Sequence, residues 1–151
     1  MKRFLYLSIA IFVSVQSFGQ LSMIMSAEGV SPDNVCKPNN VYFLMERKAR
    51  PVAPIDSIEV RLNEIVTFAK DHPEFIGKSS IQFAVNCKGE VGGGFHVVTK
   101  TGNIDLDNEL VEFFKTIDKW HAGKKSKKKT VDSWYMWRLE IKKGFINIQN
   151  K

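Results

Sequence analysis

The chain has 151 residues, of which 44% are hydrophobic and 25% are charged. This length suits one domain, and the composition excludes both a disordered chain, which has fewer apolar residues, and a membrane protein with several spans, which has many more. The formal charge is +6 and falls to +4 without Lys2 and Arg3, so it favours acidic partners only mildly.

The first twenty residues have the anatomy of a secretory signal peptide. Lys2 and Arg3 supply positive charge, residues 4–15 are almost entirely apolar, and small and polar residues follow. The apolar stretch is shorter than the roughly 20 residues that a membrane-spanning helix needs. We therefore expect residues 1–20 to be removed, which leaves a periplasmic or secreted protein. An uncleaved anchor is the alternative.

Residues 21–55 are expected to form a weakly ordered N-terminal arm. Turn-forming clusters occupy 31–34 and 37–40, where proline, asparagine and aspartate concentrate. A short apolar run at 41–45 predicts a strand within the arm. The main domain is therefore placed at 56–151.

A helix is predicted over 56–70, after Pro51 and Pro54 have interrupted regular structure. Apolar residues recur there at steps of three and four, so one stripe of the helix faces a core. Asp56 followed by Glu59 matches a capping box, in which side-chain oxygens accept hydrogen bonds from the unpaired amides of the first turn.

Two strands joined by a tight turn are predicted next. Apolar and polar residues alternate over 79–87, Gly89 is suited to the positive φ of a turn, and 91–100 is the return strand. The three glycines at 92–94 open a strand and do not precede a helix. They therefore indicate a bulge or close packing against a helix, and not a phosphate-binding loop.

The clearest helix is predicted over 105–120, where six apolar residues form a wide stripe. A lysine-rich loop follows over 121–129. Alternation returns at 131–141 and predicts a strand, and residues 145–148 either extend the sheet or pack beneath it.

These elements predict an α+β domain in the order α-β-β-α-β. A three-stranded antiparallel sheet with two helices packed on one face would bury both helical stripes against the inward sides of the strands. The segment contains no internal repeat, so one unit is expected.

No grouping of residues indicates catalysis, and we expect a protein that is not an enzyme and uses no cofactor or metal. His72, His96 and His121 have no neighbours at metal-ligand spacing and no nucleophile beside them in the sequence. Cys36 and Cys87 are too few for a structural zinc site. In an oxidising compartment they form a disulfide, or they remain two separate buried thiols.

The lysine-rich loop is interpreted as a solvated basic surface. No aromatic residue interrupts its cations, and the chain is expected to be exported, so nucleic acid is not an expected partner. Contact with acidic lipid headgroups or an acidic protein patch is a further reading, and any membrane contact would be peripheral. The cations are Lys124, Lys125, Lys127, Lys128 and Lys129.

From residue 57 to residue 148 the chain resembles the C-terminal domain of TonB, the envelope protein that couples inner-membrane energy to outer-membrane transporters. Residues 81–91 resemble the hairpin of that domain, and Leu106 with Asp107 resembles the entry to its second helix. Residues 119–124 resemble its Trp-x-Pro-Gly-Lys stretch, although Ala122 replaces the proline. The predicted signal peptide stands where the family has an anchor and a long spacer, so energy transduction by the usual route is not expected.

The resemblance implies an exported module that binds a segment of another envelope protein, such as a transporter, and thereby serves transport. The family's last strand pairs with a short extended peptide, whose backbone supplies affinity while flanking side chains supply selectivity. A self-associating accessory protein, such as a homodimer, is the alternative, and an unrecognised enzyme or small-ligand protein is a third reading. The docking residues implied are Asp132, Ser133, Trp134, Tyr135, Met136, Trp137 and Arg138.

Overall fold

The computed structural model describes residues 32–150. The predicted signal peptide, 1–20, and the beginning of the predicted arm lie outside the described residues. Among the residues described, no helix has the length and apolar character needed to cross a bilayer. In chain order the elements are β1 (Arg50–Pro51), α1 (Ile55–Ile65), α2 (Phe68–Asp71), β2 (Gly77–Val85), β3 (Val91–Thr99), α3 (Ile104–Lys115), β4 (Trp120–His121), β5 (Gly123–Ser126), β6 (Lys129–Val131), β7 (Ser133–Lys142) and β8 (Phe145–Ile148).

A four-stranded antiparallel sheet with the order β3-β2-β7-β8 lies at the centre of the fold. Strands β2 and β7 pair without interruption from Gly77 opposite Ile141 to Val85 opposite Ser133. The predicted number of three strands is wrong, because β8 joins the sheet. Lys143 at φ 52° and Gly144 at φ 78° form the two-residue turn that returns the chain beside β7.

The mixed α+β class is confirmed, and one face of the sheet carries the hydrophobic core. Buried side chains of β2 and β7, such as Phe83 and Trp137, pack with the apolar stripes of α1 and α3. Phe114 of α3 stacks on Trp137 with ring centroids 4.9 Å apart. Strand β4 adds Trp120, whose ring lies 5.2 Å from that of Phe83.

Both predicted helices are shorter than expected. The segment 56–70 divides into α1 and α2, because Val66 takes an extended conformation with φ −92° and ψ 93°. The predicted capping box with Asp56 at its start is wrong: the N-cap of α1 is Pro54, which makes no side-chain cap hydrogen bond, and Asp56 lies within the first turn. The second helix ends at Lys115, so Trp120 belongs to β4 and not to a helix.

The lysine-rich loop and the run at 41–45 also differ from the structures predicted for them. The lysine-rich loop is a hairpin, in which Gly123 pairs with Val131 and Lys124 with Thr130. The predicted strand at 41–45 is reduced to a single parallel bridge between Tyr42 and Ser133.

The described part of the arm crosses the sheet face opposite the helices. Val41, Val35 and Phe43 pack there against Ala84 of β2 and Trp134 of β7, which gives a second, smaller apolar cluster. The sheet is therefore covered on both faces at this end.

Candidate docking site and the arm beside it

Asp132 holds the arm at the start of β7. Its carboxylate accepts hydrogen bonds from the backbone amides of Cys36 (3.0 Å), Lys37 (2.7 Å) and Cys87 (2.8 Å), although its side chain is almost fully buried. A buried carboxylate is costly unless such donors replace water. Asp132 therefore has a structural role in the described chain, which differs from the partner contact expected for it.

Cys36 and Cys87 are joined by a disulfide beside Asp132. Of the two alternatives left by the sequence, the structure has the bonded pair. The two sulfur atoms and a carboxylate oxygen of Asp132 lie within 4.8 Å of one another, and among residues 32–150 this is the group of three with metal-ligand spacing. Bonded sulfur carries no thiolate charge, and the carboxylate already accepts three amides, so the group serves as a clamp.

The side chains of the predicted docking strand are mostly buried. Asp132, Ser133, Trp134 and Trp137 are buried, Tyr135 and Met136 are half-buried, and Arg138 is exposed. Trp134 lies on the sheet face away from the helices, where Phe43 of the arm stacks over it with ring centroids 6.0 Å apart. Selectivity through the Trp134 ring would therefore require the arm to move.

The backbone edge of β7 is more open than its side chains. Strand β8 pairs with β7 only from Leu139 to Lys142. Before that, single residues contact the edge: Tyr42 donates its amide to the Asp132 carbonyl at 2.9 Å and accepts from the Trp134 amide at 3.0 Å. Thus no complete strand lies against this half of β7 among the described residues.

The C-terminal residues contact the same edge of β7 farther along the strand, at Met136 and Arg138. Asn150 accepts a hydrogen bond from the Arg138 amide at 2.7 Å and donates its side-chain amide to the Met136 carbonyl at 2.6 Å. The amide of Gln149 donates to the Arg138 carbonyl at 2.8 Å. The side-chain amide of Asn150 therefore imitates one peptide unit of a neighbouring strand.

The edge of β8, in contrast, is closed by side chains of α1. Asn63 accepts from the Ile146 amide at 2.8 Å and donates to the Ile146 carbonyl at 2.9 Å. Glu59 accepts from the Ile148 amide at 2.6 Å. Such covering of an edge prevents pairing with another chain, so the β8 edge is less accessible than the uncovered half of β7.

Tyr135 lies on the helix side of β7, where it packs against Trp120 with ring centroids 4.8 Å apart. Burial raises the pKa of the Tyr135 hydroxyl to about 12, and a hydrogen bond with Asn150 opposes that rise. The hydroxyl is therefore neutral at physiological pH and joins the core to the C-terminal residues.

The three histidines and the glycine run lie in different parts of the fold. His72 follows α2 and lies 3.6 Å from Glu74, His96 is in β3, and His121 pairs with Arg50. The glycines produce irregular pairing between β2 and β3, with Gly93 at φ 82°. The bulge interpretation is confirmed, and the close contact at Gly92 is with the arm.

Tyr42, Gln149 and Asn150 contact the docking edge but were not predicted from the sequence. Tyr42 lies in an apolar run that predicted a strand, whereas the polar C-terminal residues show no periodicity. No family model, curated protein or solved structure matches the chain. The resemblance to the TonB C-terminal domain accordingly stays a prediction from the residues and their order.

Proposed function

We propose that the chain is an exported, non-enzymatic binding module of the TonB C-terminal type. It binds an extended segment of another envelope protein, such as a transporter, along the edge of β7 from Asp132 to Arg138. The observation that supports this most is that isolated residues, and not a paired strand, contact this half of the edge.

The contacts at the edge are of a kind that a peptide backbone can replace. Asn150 provides two hydrogen bonds from a side chain, and a partner strand provides the same two from its main chain. Because such exchange leaves the number of hydrogen bonds at the edge unchanged and gives up only the contact of Asn150 with Tyr135, it costs little net free energy. A partner that continues in the direction of β8 would run antiparallel to β7.

Selectivity in this proposal comes from the outer side chains next to the edge. Arg138 is exposed and Met136 is half-buried on that face. An extended partner places alternate side chains toward them. A segment with an acidic residue near Arg138 and an apolar residue near Met136 is the expected match.

The direct test is a titration of the isotope-labelled protein with extended peptides taken from transporter N-terminal segments, followed by backbone amide shifts. Shifts are expected at 132–138 and at Asn150. The amides of Ile146 and Ile148 serve as internal controls, because α1 already occupies them. Silence of 132–138 at millimolar peptide would contradict the proposal.

A variant pair sharpens this test. Asn150→Ala removes the two side-chain hydrogen bonds that a partner must displace. Peptide affinity should then rise by up to about 30-fold, since two such bonds are together worth about 2 kcal/mol. Gln149→Ala is the matched control, because Gln149 contacts Arg138 through its main chain. Equal affinity of the two variants would exclude Asn150 as the group that is displaced.

Self-association along the same edge is the second candidate, because an open strand edge accepts a second copy as readily as a peptide. In that case the molar mass measured by light scattering rises with concentration. The Asn150→Ala variant should then associate more strongly than the Gln149→Ala variant.

A further inference from the structure

Two basic segments that are distant in sequence lie side by side in the structure. Arg47 bridges Lys124, with the Arg47 amide donating to the Lys124 carbonyl at 3.1 Å and the Lys124 amide to the Arg47 carbonyl at 2.8 Å. In the same register, Arg50 lies opposite His121 and Pro51 opposite Trp120. The arm therefore runs antiparallel to the chain that leads into the β5–β6 hairpin.

This pairing brings together two cation-rich segments, whose eight Lys and Arg residues we call the basic face. The segments 46–51 and 120–129 together contain these eight cations and a single carboxylate, that of Glu46. The two segments thus hold a formal charge of +7, one more than the +6 of the whole chain. The members are Arg47, Lys48, Arg50, Lys124, Lys125, Lys127, Lys128 and Lys129.

The cations of the basic face are not neutralised within the described residues. The ion pairs in that part of the chain are His72–Glu74, Lys115–Glu112 and Lys142–Glu140, and all lie elsewhere. Lys125 contacts the Tyr42 ring, with its ammonium 5.0 Å from the centroid. Accumulated like charge destabilises a compact fold, so the hairpin gains no stability from its lysines.

The form of the basic face suits a diffuse anionic surface. Arg47, Lys124 and Lys127 border a cleft of only about 80 Å³, which is too small to enclose a peptide segment. Six of the eight cations are lysines, which act as hydrated point charges and lack the fork that arginine offers to a single carboxylate. Lipid headgroups form a two-dimensional array that flexible lysines match.

We propose that the basic face binds the anionic phospholipid headgroups of a membrane surface. Leu44 lies on the same arm segment, between the Tyr42 and Arg47 contacts, and is half exposed, so an apolar side chain accompanies the cations. The interaction is peripheral and depends on salt, because exposed charges act through water. It uses a surface other than the β7 edge, so its test is independent of the proposed function.

The test is cosedimentation of the full chain with vesicles of phosphatidylcholine alone and of phosphatidylcholine mixed with phosphatidylglycerol. The variant carries Lys125→Gln, Lys127→Gln and Lys128→Gln. The control carries Lys70→Gln, Lys78→Gln and Lys100→Gln, which remove the same charge from other elements. All proteins share residues 1–31, so a contribution of that segment cancels in the comparison.

The hairpin variant should partition about 100-fold more weakly than the unchanged chain onto phosphatidylglycerol vesicles, while the control variant changes by a few-fold. The difference between the hairpin variant and the unchanged chain should also disappear in phosphatidylcholine alone and at high salt. Equal losses in both variants would show dependence on net charge only and overturn the proposal. Tighter binding to soluble polyglutamate than to the vesicles would overturn it in favour of an acidic protein segment.

Discussion

At the scale of single residues, Asp132 does the most to connect the arm with the sheet. Three backbone amides from two segments converge on its carboxylate. Hydrogen bonds to a charged acceptor are stronger than those between neutral groups. The position was expected to contact a partner, and its observed role is to hold the arm beside the docking edge.

Asp132→Ala should lower the free energy of unfolding by about 3 kcal/mol, because three backbone amides lose their carboxylate acceptor. Urea denaturation followed by tryptophan fluorescence measures this loss. Asp118→Ala is the control, since Asp118 is exposed and surface changes usually stay within about 0.5 kcal/mol. Similar values for both variants would contradict the role given to Asp132.

Tyr135 makes stability depend on pH in the alkaline range. Burial raises the pKa of its hydroxyl from 10.0 to about 12, so the folded state holds the proton that the unfolded state releases. The contribution is complete below pH 10 and is lost as pH rises toward about 12. Tyr135→Phe should remove this part of the alkaline decline, as denaturation at several pH values will show. Parallel declines in both proteins would refute the assignment.

Gly89 joins the β2–β3 turn to β4. It has φ 84°, its carbonyl accepts from the Trp120 amide at 3.0 Å, and a Cβ there would collide with the Trp120 carbonyl. Gly102 has a similar φ of 93° but open space around it. Substitutions at the two glycines therefore separate the free-energy cost of a positive φ from the cost of the close contact with Trp120.

Gly102→Ala should lower the free energy of unfolding by about 1 kcal/mol, because a residue with a side chain is strained in the left-handed conformation. Gly89→Ala should cost about 3 kcal/mol or more, because β4 must also shift. Thermal unfolding of the two variants measures the difference. If they lose the same stability, the close contact with Trp120 has no energetic weight.

At the scale of elements, α1 protects the β8 edge through Asn63. Asn63→Ala removes one donor and one acceptor from the Ile146 peptide units, which should cost about 2 kcal/mol. Hydrogen exchange at the Ile146 amide should accelerate more than at amides of β2. Asn108→Ala, on the exposed side of α3, is the control and should leave that exchange rate unchanged.

The long elements could be predicted because their apolar residues repeat with a helical or strand period. Their ends could not: Thr116 donates its hydroxyl to the Phe113 carbonyl at 2.7 Å, a local bond that competes with continuation of α3. The β5–β6 hairpin was missed because its lysines do not alternate with apolar residues. For the candidate docking site, the strand β7 could be predicted from its alternating pattern. The hydrogen bonds of Tyr42 and Asn150 to its edge could not, because they join segments that are distant in the sequence.

At the scale of the whole molecule, the Cys36–Cys87 disulfide closes a loop between residues 51 positions apart. Removing it through Cys36→Ser should cost about 4 kcal/mol, if restriction of the unfolded chain is the main effect. The double variant with Cys87→Ser should lose a similar amount. Guanidinium denaturation measures both, and unchanged midpoints would contradict a stabilising role.

The attachment of the arm has a consequence for biosynthesis. During synthesis the arm leaves the ribosome before the sheet, yet it contacts residues that are made later. Asn34 contacts Val91, and Cys36 contacts Cys87 and Asp132, which follow by 51 to 96 positions. The arm therefore cannot complete these contacts until the chain has been synthesised as far as the start of β7. A chain interrupted before Asp132 would leave Ala84 and Gly92 without most of their cover, and such unfinished products should be preferred targets of chaperones and proteases.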